Sequence, residues 1–256
     1  MKILAVGDVV GNAGLDHLEK KLWNIRNANG IDFCVVNGEN ATDISGVSRN
    51  DALKIFDAGA DVITLGNHTW GRRDLYELLD ENESIIRPAN YPAGAPGSGY
   101  TIAMVSGYRI LCMNLIGTVN LPAEDCPFRT ADAILGRENG NYDMALVDFH
   151  AEATSEKIAM GRYLDGRVSA VFGTHTHVMT ADEQILPQGT AYITDLGMTG
   201  PTDGVLGVSY DIIISKFLTH MPHRFKVAEG ECKAHGIILD VDESSGHARS
   251  IKRIVF

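Results

Sequence analysis

Long apolar runs are missing from this chain. No stretch of its 256 residues approaches the ~20 apolar positions of a membrane span. The N-terminal apolar run ends at Val6, is interrupted by Asp8 and is too short for a signal peptide, so a cytoplasmic protein is expected. Cysteine is scarce as well. Cys34, Cys112, Cys126 and Cys232 are scattered with no C-x-x-C pair, which argues against a disulfide framework or a thiolate metal site. Cys34 and Cys112 lie in strand-like apolar runs and read as small buried hydrophobes. Positive charge is short too: 22 Lys and Arg against 33 Asp and Glu leave a net charge of −11. That balance argues against long nucleic acid, which is held by clustered cations. A single phosphoester stays within reach if bound metal ions supply the positive charge.

What is present is ordinary for a globular protein: 45% apolar and 21% charged residues, enough for a sizeable core. The first eighty residues alternate between short apolar runs and helical spacing. Strands are expected at 3–6, 33–36 and 62–65, and helices at 15–27, 48–58 and 72–79. Ser48 reads as an N-cap, with Asp51 three residues on. Segment 91–99 reads as loop, 100–105 and 109–115 as a hairpin about Ser106-Gly107, and 120–129 as an irregular connection. Helices are then expected at 130–138, 153–164 and 209–219, and strands at 144–147, 168–172, 183–186, 190–194, 234–241 and 249–256. Strand–helix alternation with nearly all-apolar strands implies parallel sheet buried on both faces. With no linker and no internal repeat, residues 1–256 read as one α/β domain with two β-layers flanked by helices.

Five apolar runs lead directly into side chains that bind metals. They end in Gly7-Asp8, Asn37-Gly38-Glu39-Asn40, Gly66-Asn67-His68, Asp148-Phe149-His150 and Gly173-Thr174-His175-Thr176-His177. Ligands in open α/β sheets bind beyond the carboxyl ends of the strands, so these five turns are expected to converge. Taken singly each has a plainer reading: Asp8 as a helix cap, the asparagines as turn formers, His150 as a buried histidine. Together, Asp8, Glu39, Asn40, Asn67, His68, His150, His175 and His177 supply about the right number of oxygen and imidazole donors for two ions. A set without thiolate suits iron, manganese or zinc, and it is too rich in imidazole for magnesium or calcium.

These motifs, with Thr194-Asp195-Leu196-Gly197-Met198-Thr199-Gly200-Pro201, resemble the calcineurin-like metallophosphoesterase superfamily and, more closely, its YmdB-type phosphodiesterases. The resemblance implies a four-layer α/β/β/α sandwich. It implies that Asp8, Asn40 and His177 bind one metal, that Asn67, His150 and His175 bind another, and that Glu39 bridges them. His68 is then the general acid rather than a ligand. Two divalent ions are implied, and a small cyclic nucleotide as substrate, 2′,3′-cyclic before 3′,5′-cyclic, opened by a metal-bridged hydroxide. The chain departs from the wider superfamily where Val10 replaces a histidine ligand, Glu39 replaces an aspartate and Thr69 replaces a glutamate. A carboxamide from Asn40 in place of imidazole would harden the first metal site and favour iron or manganese over zinc. The competing readings are a phosphomonoesterase or nucleotidase on the same residues, or a weakly active nucleotide-binding regulator. Segments 91–99 and 120–129 are expected to cap the site or to form a homo-oligomer contact.

Overall fold

The computed structural model describes residues 1–122 and 125–256. In chain order the first half runs β1 (Lys2–Val6), β2 (Asp8–Val9), α1 (Gly11–Asn29), β3 (Phe33–Asn37), α2 (Arg49–Asp57), β4 (Val62–Thr64), α3 (Leu75–Glu81), β5 (Ile85–Ile86), β6 (Tyr100–Val105) and β7 (Tyr108–Ile116). The second half runs α4 (Pro127–Arg137), β8 (Met144–His150), α5 (Thr154–Leu164), β9 (Ala170–Thr174), β10 (Gln184–Ile185), β11 (Ala191–Ile193), β12 (Met198–Pro201), α6 (Tyr210–Thr219), β13 (Cys232–Val241) and β14 (Ala248–Val255).

Two sheets form. One follows the order β2-β12-β13-β1-β3-β4-β5, with β14 pairing β13; the other follows β10-β11-β9-β8-β7-β6. Their centres are parallel: β1, β3, β4 and β5 in the first, and β7, β8, β9 and β11 in the second. Because side chains alternate along a strand, each sheet has two apolar faces. Ile3, Ala5, Phe33 and Val35 meet Cys112, Leu146 and Phe172 of the other sheet. Leu4, Val6, Cys34 and Val36 pack on Leu15, Leu18 and Leu22 of α1 and on Ala52 and Ile55 of α2. Leu111, Met113, Val147 and Val171 pack on α4 and α5. The result is the expected four layers, α/β/β/α. Cys34 and Cys112 lie inside this core, where burial pushes both thiols up in pKa.

Several boundaries differ from the sequence reading. Asp8 and His150 are not in turns. Asp8 belongs to β2, paired with Met198 of β12, and His150 closes β8 between Ile116 and Thr174. The third helix starts at Leu75 rather than residue 72, because a 3₁₀ turn over Thr69–Gly71 comes first. The fourth helix starts at Pro127, inside the segment read as irregular; proline is favoured at the first helical position, where no N–H is needed. Residues 123 and 124 of that segment lie outside the described residues. Ser48 caps α2 as expected, its Oγ accepting from Asp51 N at 3.1 Å. Among the described residues no helix is long and apolar enough to cross a membrane.

Candidate metal centre

All eight predicted residues gather at the carboxyl ends of β1, β3 and β4 in one sheet and of β8 and β9 in the other. Glu39, fully buried, lies at the middle. Its Oε1 is 3.3 Å from His150 Nε2 and accepts from Asn40 Nδ2 at 2.9 Å, and its Oε2 accepts from His68 N at 3.0 Å. Only glycine fits at position 66, since a Cβ there would collide with the His150 ring and the Glu39 carboxylate.

The three inner imidazoles are each anchored on the side away from the centre. Thr174 Oγ1 donates to Asp148 Oδ1 at 2.6 Å, so it accepts from His150 Nδ1 at 2.9 Å. His175 Nε2 lies 3.1 Å from the Glu152 carboxylate. His177 Nδ1 donates to Leu206 O at 3.1 Å. A histidine that donates through one nitrogen offers a lone pair on the other, so the Thr174 and Leu206 partners leave His150 Nε2 and His177 Nε2 as acceptors. The inward nitrogens then converge: His175 Nδ1 is 3.1 Å from His150 Nε2, which is 2.9 Å from Asn67 Oδ1, and His177 Nε2 is 3.8 Å from Asp8 Oδ1.

Acceptors facing acceptors need a cation between them. In the bare chain a proton takes that part. Burial opposes charge on His150, but Glu39, Asp8 and Asp148 outweigh it and its pKa is pushed up to about 9. Burial and the neighbouring His150 charge push His175 down to about 3. Burial raises Asp8 to about 6, against the pull of His177 and His150, and its Oδ1 has no hydrogen-bond partner. Buried acceptors without partners are rare and costly, and metal ligation is a common reason for one. Glu39, His150 and His175 bring ligand atoms within 4.8 Å of one another. The residues present therefore fit divalent metal ions.

His68 stands apart from this set. It is 39% exposed, and its Nδ1 lies 2.8 Å from Asn40 Oδ1 and 3.4 Å from Glu39 Oε1. Its hydrogen bond with Glu39 favours the imidazolium and raises its pKa. Asn40 turns its oxygen to His68 and its Nδ2 to Glu39 and His177, the latter at 3.3 Å. The aromatic residues near the third motif pack locally: Trp70 lies 5.6 Å from Tyr76 and 5.7 Å from Tyr91, ring centre to ring centre. Arg72 reaches back to Asp43 and Thr42 O, each at 3.1 Å, and His220 and His223 are on the surface.

Beneath the histidine loop lies a pair that the sequence reading passed over. Lys157 Nζ, buried in α5, contacts Asp195 Oδ2 at 2.6 Å and donates to Thr174 O at 2.8 Å. Asp195 also accepts from Thr176 N at 3.1 Å. The backbone on both sides of His175 is thus tied down, and it needs to be. His175 and His177 have φ of 99° and 64°, a region costly for side chains with a Cβ. A lysine in an ordinary helical pattern carries no signal of this role; Asp195, in a long motif, carried one. Lys157→Met should leave a buried carboxylate unpaired at a cost of roughly 3–5 kcal/mol. Thermal denaturation should show a midpoint lower by roughly 10 °C, and metal affinity should weaken by about 10–100-fold. An unchanged midpoint would show that the pair does not hold the loop.

The family model of YmdB-like proteins matches residues 4–254. The chain belongs to the YmdB-like family. It is 45% identical to a Bacillus subtilis 2′,3′-cyclic-nucleotide 2′-phosphodiesterase, over 100% of this chain and 97% of that protein. Among solved structures, a hypothetical protein from Thermus thermophilus superposes with a TM-score of 0.95 at 40% identity, covering 100% of this chain and 99% of the other. A phosphatase from Mycoplasma pneumoniae gives 0.94 at 32% identity, with 100% and 93% covered. For this member of the YmdB-like family, metal-dependent phosphoester chemistry accords with the donor set just described.

Proposed function

We propose that residues 1–256 form one domain that hydrolyses cyclic nucleotides, 2′,3′-cyclic before 3′,5′-cyclic, with two divalent metal ions. The observation that carries this reading is the set of inward-facing imidazole lone pairs meeting Asp8 and Glu39. The 45% identity to the Bacillus subtilis phosphodiesterase supports the substrate class. Asp8, Asn40 and His177 would hold one ion, Asn67, His150 and His175 the other, and Glu39 would be shared. As a ligand, Asn40 would use the second lone pair of the oxygen that faces His68. The hard oxygen donors favour iron or manganese over zinc. When bound, such ions act as Lewis acids that neutralise phosphate charge and lower the pKa of water.

The chain's own residues do the rest. His68, as imidazolium, keeps its Nδ1 proton on Asn40 Oδ1 and carries a second proton on Nε2. Water adds to phosphorus and gives up a proton to solvent, the P–O2′ bond breaks and the departing O2′ takes the Nε2 proton, leaving a 3′-phosphate and a neutral His68 that solvent reprotonates. Glu39 favours the charged form of His68 and so keeps the donor loaded. Glu152, Thr174 and Leu206 O hold the three imidazoles in place, so little reorganisation is needed during reaction.

A panel of 2′,3′- and 3′,5′-cyclic nucleotides, nucleoside monophosphates and bis(p-nitrophenyl) phosphate tests the assignment. The expected order of kcat/KM places 2′,3′-cyclic nucleotides first and leaves monophosphates nearly unreacted. Preferred turnover of monophosphates would instead make the protein a nucleotidase.

A further inference from the structure

The candidate site opens into a cavity of about 600 Å³, within the usual range for a small ligand. His68, His175, His177, Leu206, Phe217 and Phe225 are among the residues that line it. A second cavity of about 890 Å³ adjoins it, and the two share Ile44, Ser45 and Phe225. Arg72, Arg224 and Lys226 line this second space, against one carboxylate, Asp43. Asp43 is already spoken for by Arg72 at 3.1 Å, and Lys226 is 3.1 Å from Glu229 at the surface. Arg224 pairs with no carboxylate among the described residues. In a chain of net charge −11, a guanidinium free of any carboxylate beside this cavity stands out.

Phe225 lines both spaces, Phe217 lines the first, and both rings are open to solvent. Phe217 is 72% exposed and Phe225 43% exposed, and Lys216 Nζ lies 4.7 Å from the Phe225 ring centre. Helix α6, which carries Phe217, has no buried residue, so these rings are not held out for packing in the core. Exposed apolar surface beside a catalytic cavity marks a binding surface, and aromatic faces beside cations are how proteins hold single-stranded nucleotides.

We propose that the second cavity binds the nucleotide preceding a cyclic phosphate end, making short ribo-oligonucleotides with 2′,3′-cyclic phosphate termini the substrate class of this site. The inference rests on the cyclic-nucleotide reading above. A 2′,3′-cyclic phosphate can close only the 3′ end of a strand, so any further nucleotide extends from the 5′ oxygen. The first cavity accommodates the terminal nucleotide. Arg224 and Lys226 then meet the diester phosphate that follows, and Phe225, at the junction, meets a base. Arg224, free of any carboxylate, with Lys226 beside it, suits one phosphate, and the net negative charge of the chain opposes a longer strand.

The test compares 2′,3′-cyclic AMP with the dinucleotide ApA bearing a terminal 2′,3′-cyclic phosphate, on wild type and on Arg224→Ala/Lys226→Ala. Both side chains are exposed, so the variant should fold normally. The dinucleotide should show a kcat/KM about 10–100-fold above the mononucleotide, the scale of one stacked base with its phosphate contacts. That advantage should shrink as salt rises. The variant should lose it while turning over cyclic AMP at the wild-type rate. Equal kcat/KM for the two substrates in wild type would overturn the subsite alone. Equal losses on both in the variant would do the same. If neither is hydrolysed while bis(p-nitrophenyl) phosphate is, the cyclic-nucleotide reading fails and the subsite with it.

Discussion

Glu39→Gln should yield a folded protein that purifies with little bound metal and hydrolyses cyclic nucleotides at least about 10³-fold more slowly, the scale lost when an electrostatic unit is broken. The glutamine keeps the volume of a side chain buried to 0% exposure, so the core is not opened. What changes is charge. The carboxylate lies 3.3 Å from His150 Nε2 and accepts from Asn40 Nδ2 and His68 N. It is the acidic group through which both triads of proposed ligands connect. An amide offers one neutral acceptor and two donors, and its donors would point at lone pairs already turned inward. Elemental analysis and a circular dichroism spectrum of the same sample check this. Two ions per chain in the variant would refute a shared role for Glu39.

His68→Ala should act in the opposite way on metal content. Metal content and thermal stability should hold, and turnover of 2′,3′-cyclic nucleotides should fall by roughly 10²–10⁴-fold, the usual contribution of a positioned proton donor. The side chain is part-exposed and its ring contacts Asn40 Oδ1 and Glu39, so removing it empties little of the interior. The leaving group gives a sharper reading. A ribose alkoxide needs a proton as it departs, whereas p-nitrophenolate does not. The variant should therefore keep most of its activity on bis(p-nitrophenyl) phosphate while losing that on cyclic nucleotides. Equal losses on both substrates would assign His68 to phosphate binding, and loss of metal would make it a ligand.

The two roles can be told apart because the fold places them on different footings, and part of that was legible in sequence. Short apolar runs ending in Asp, Glu, Asn and His announced strand ends, and the parallel arrangement carried those ends to one edge. The four layers followed from strands apolar on both faces, as Ile3, Leu4, Ala5 and Val6 show by alternating between two cores. Non-local pairing was hidden. Nothing near Asp8 or Met198 in sequence says that they are neighbours, so Asp8 read as part of a turn and no strand was expected at 198–201. Lys157 was hidden for a related reason: its partner Asp195 is thirty-eight positions away, and a lysine in a helix usually faces water. Thr174 stood inside a recognised motif and Glu152 two residues past another, yet their place beside His150 and His175 shows only when both ring nitrogens have named neighbours. Helix α6 was expected over 209–219, but a sequence pattern cannot say that none of its residues is buried.

Bound metal is what the converging lone pairs are built to hold. Protein stripped of metal and titrated with manganese under anaerobic conditions, with bound ions counted and 2′,3′-cyclic AMP hydrolysis followed on the same samples, tests this most directly. Two ions per chain are expected, with activity absent in the stripped protein and complete only when both are bound. Full hydrolysis by the stripped protein, or saturation at a single ion, would contradict it.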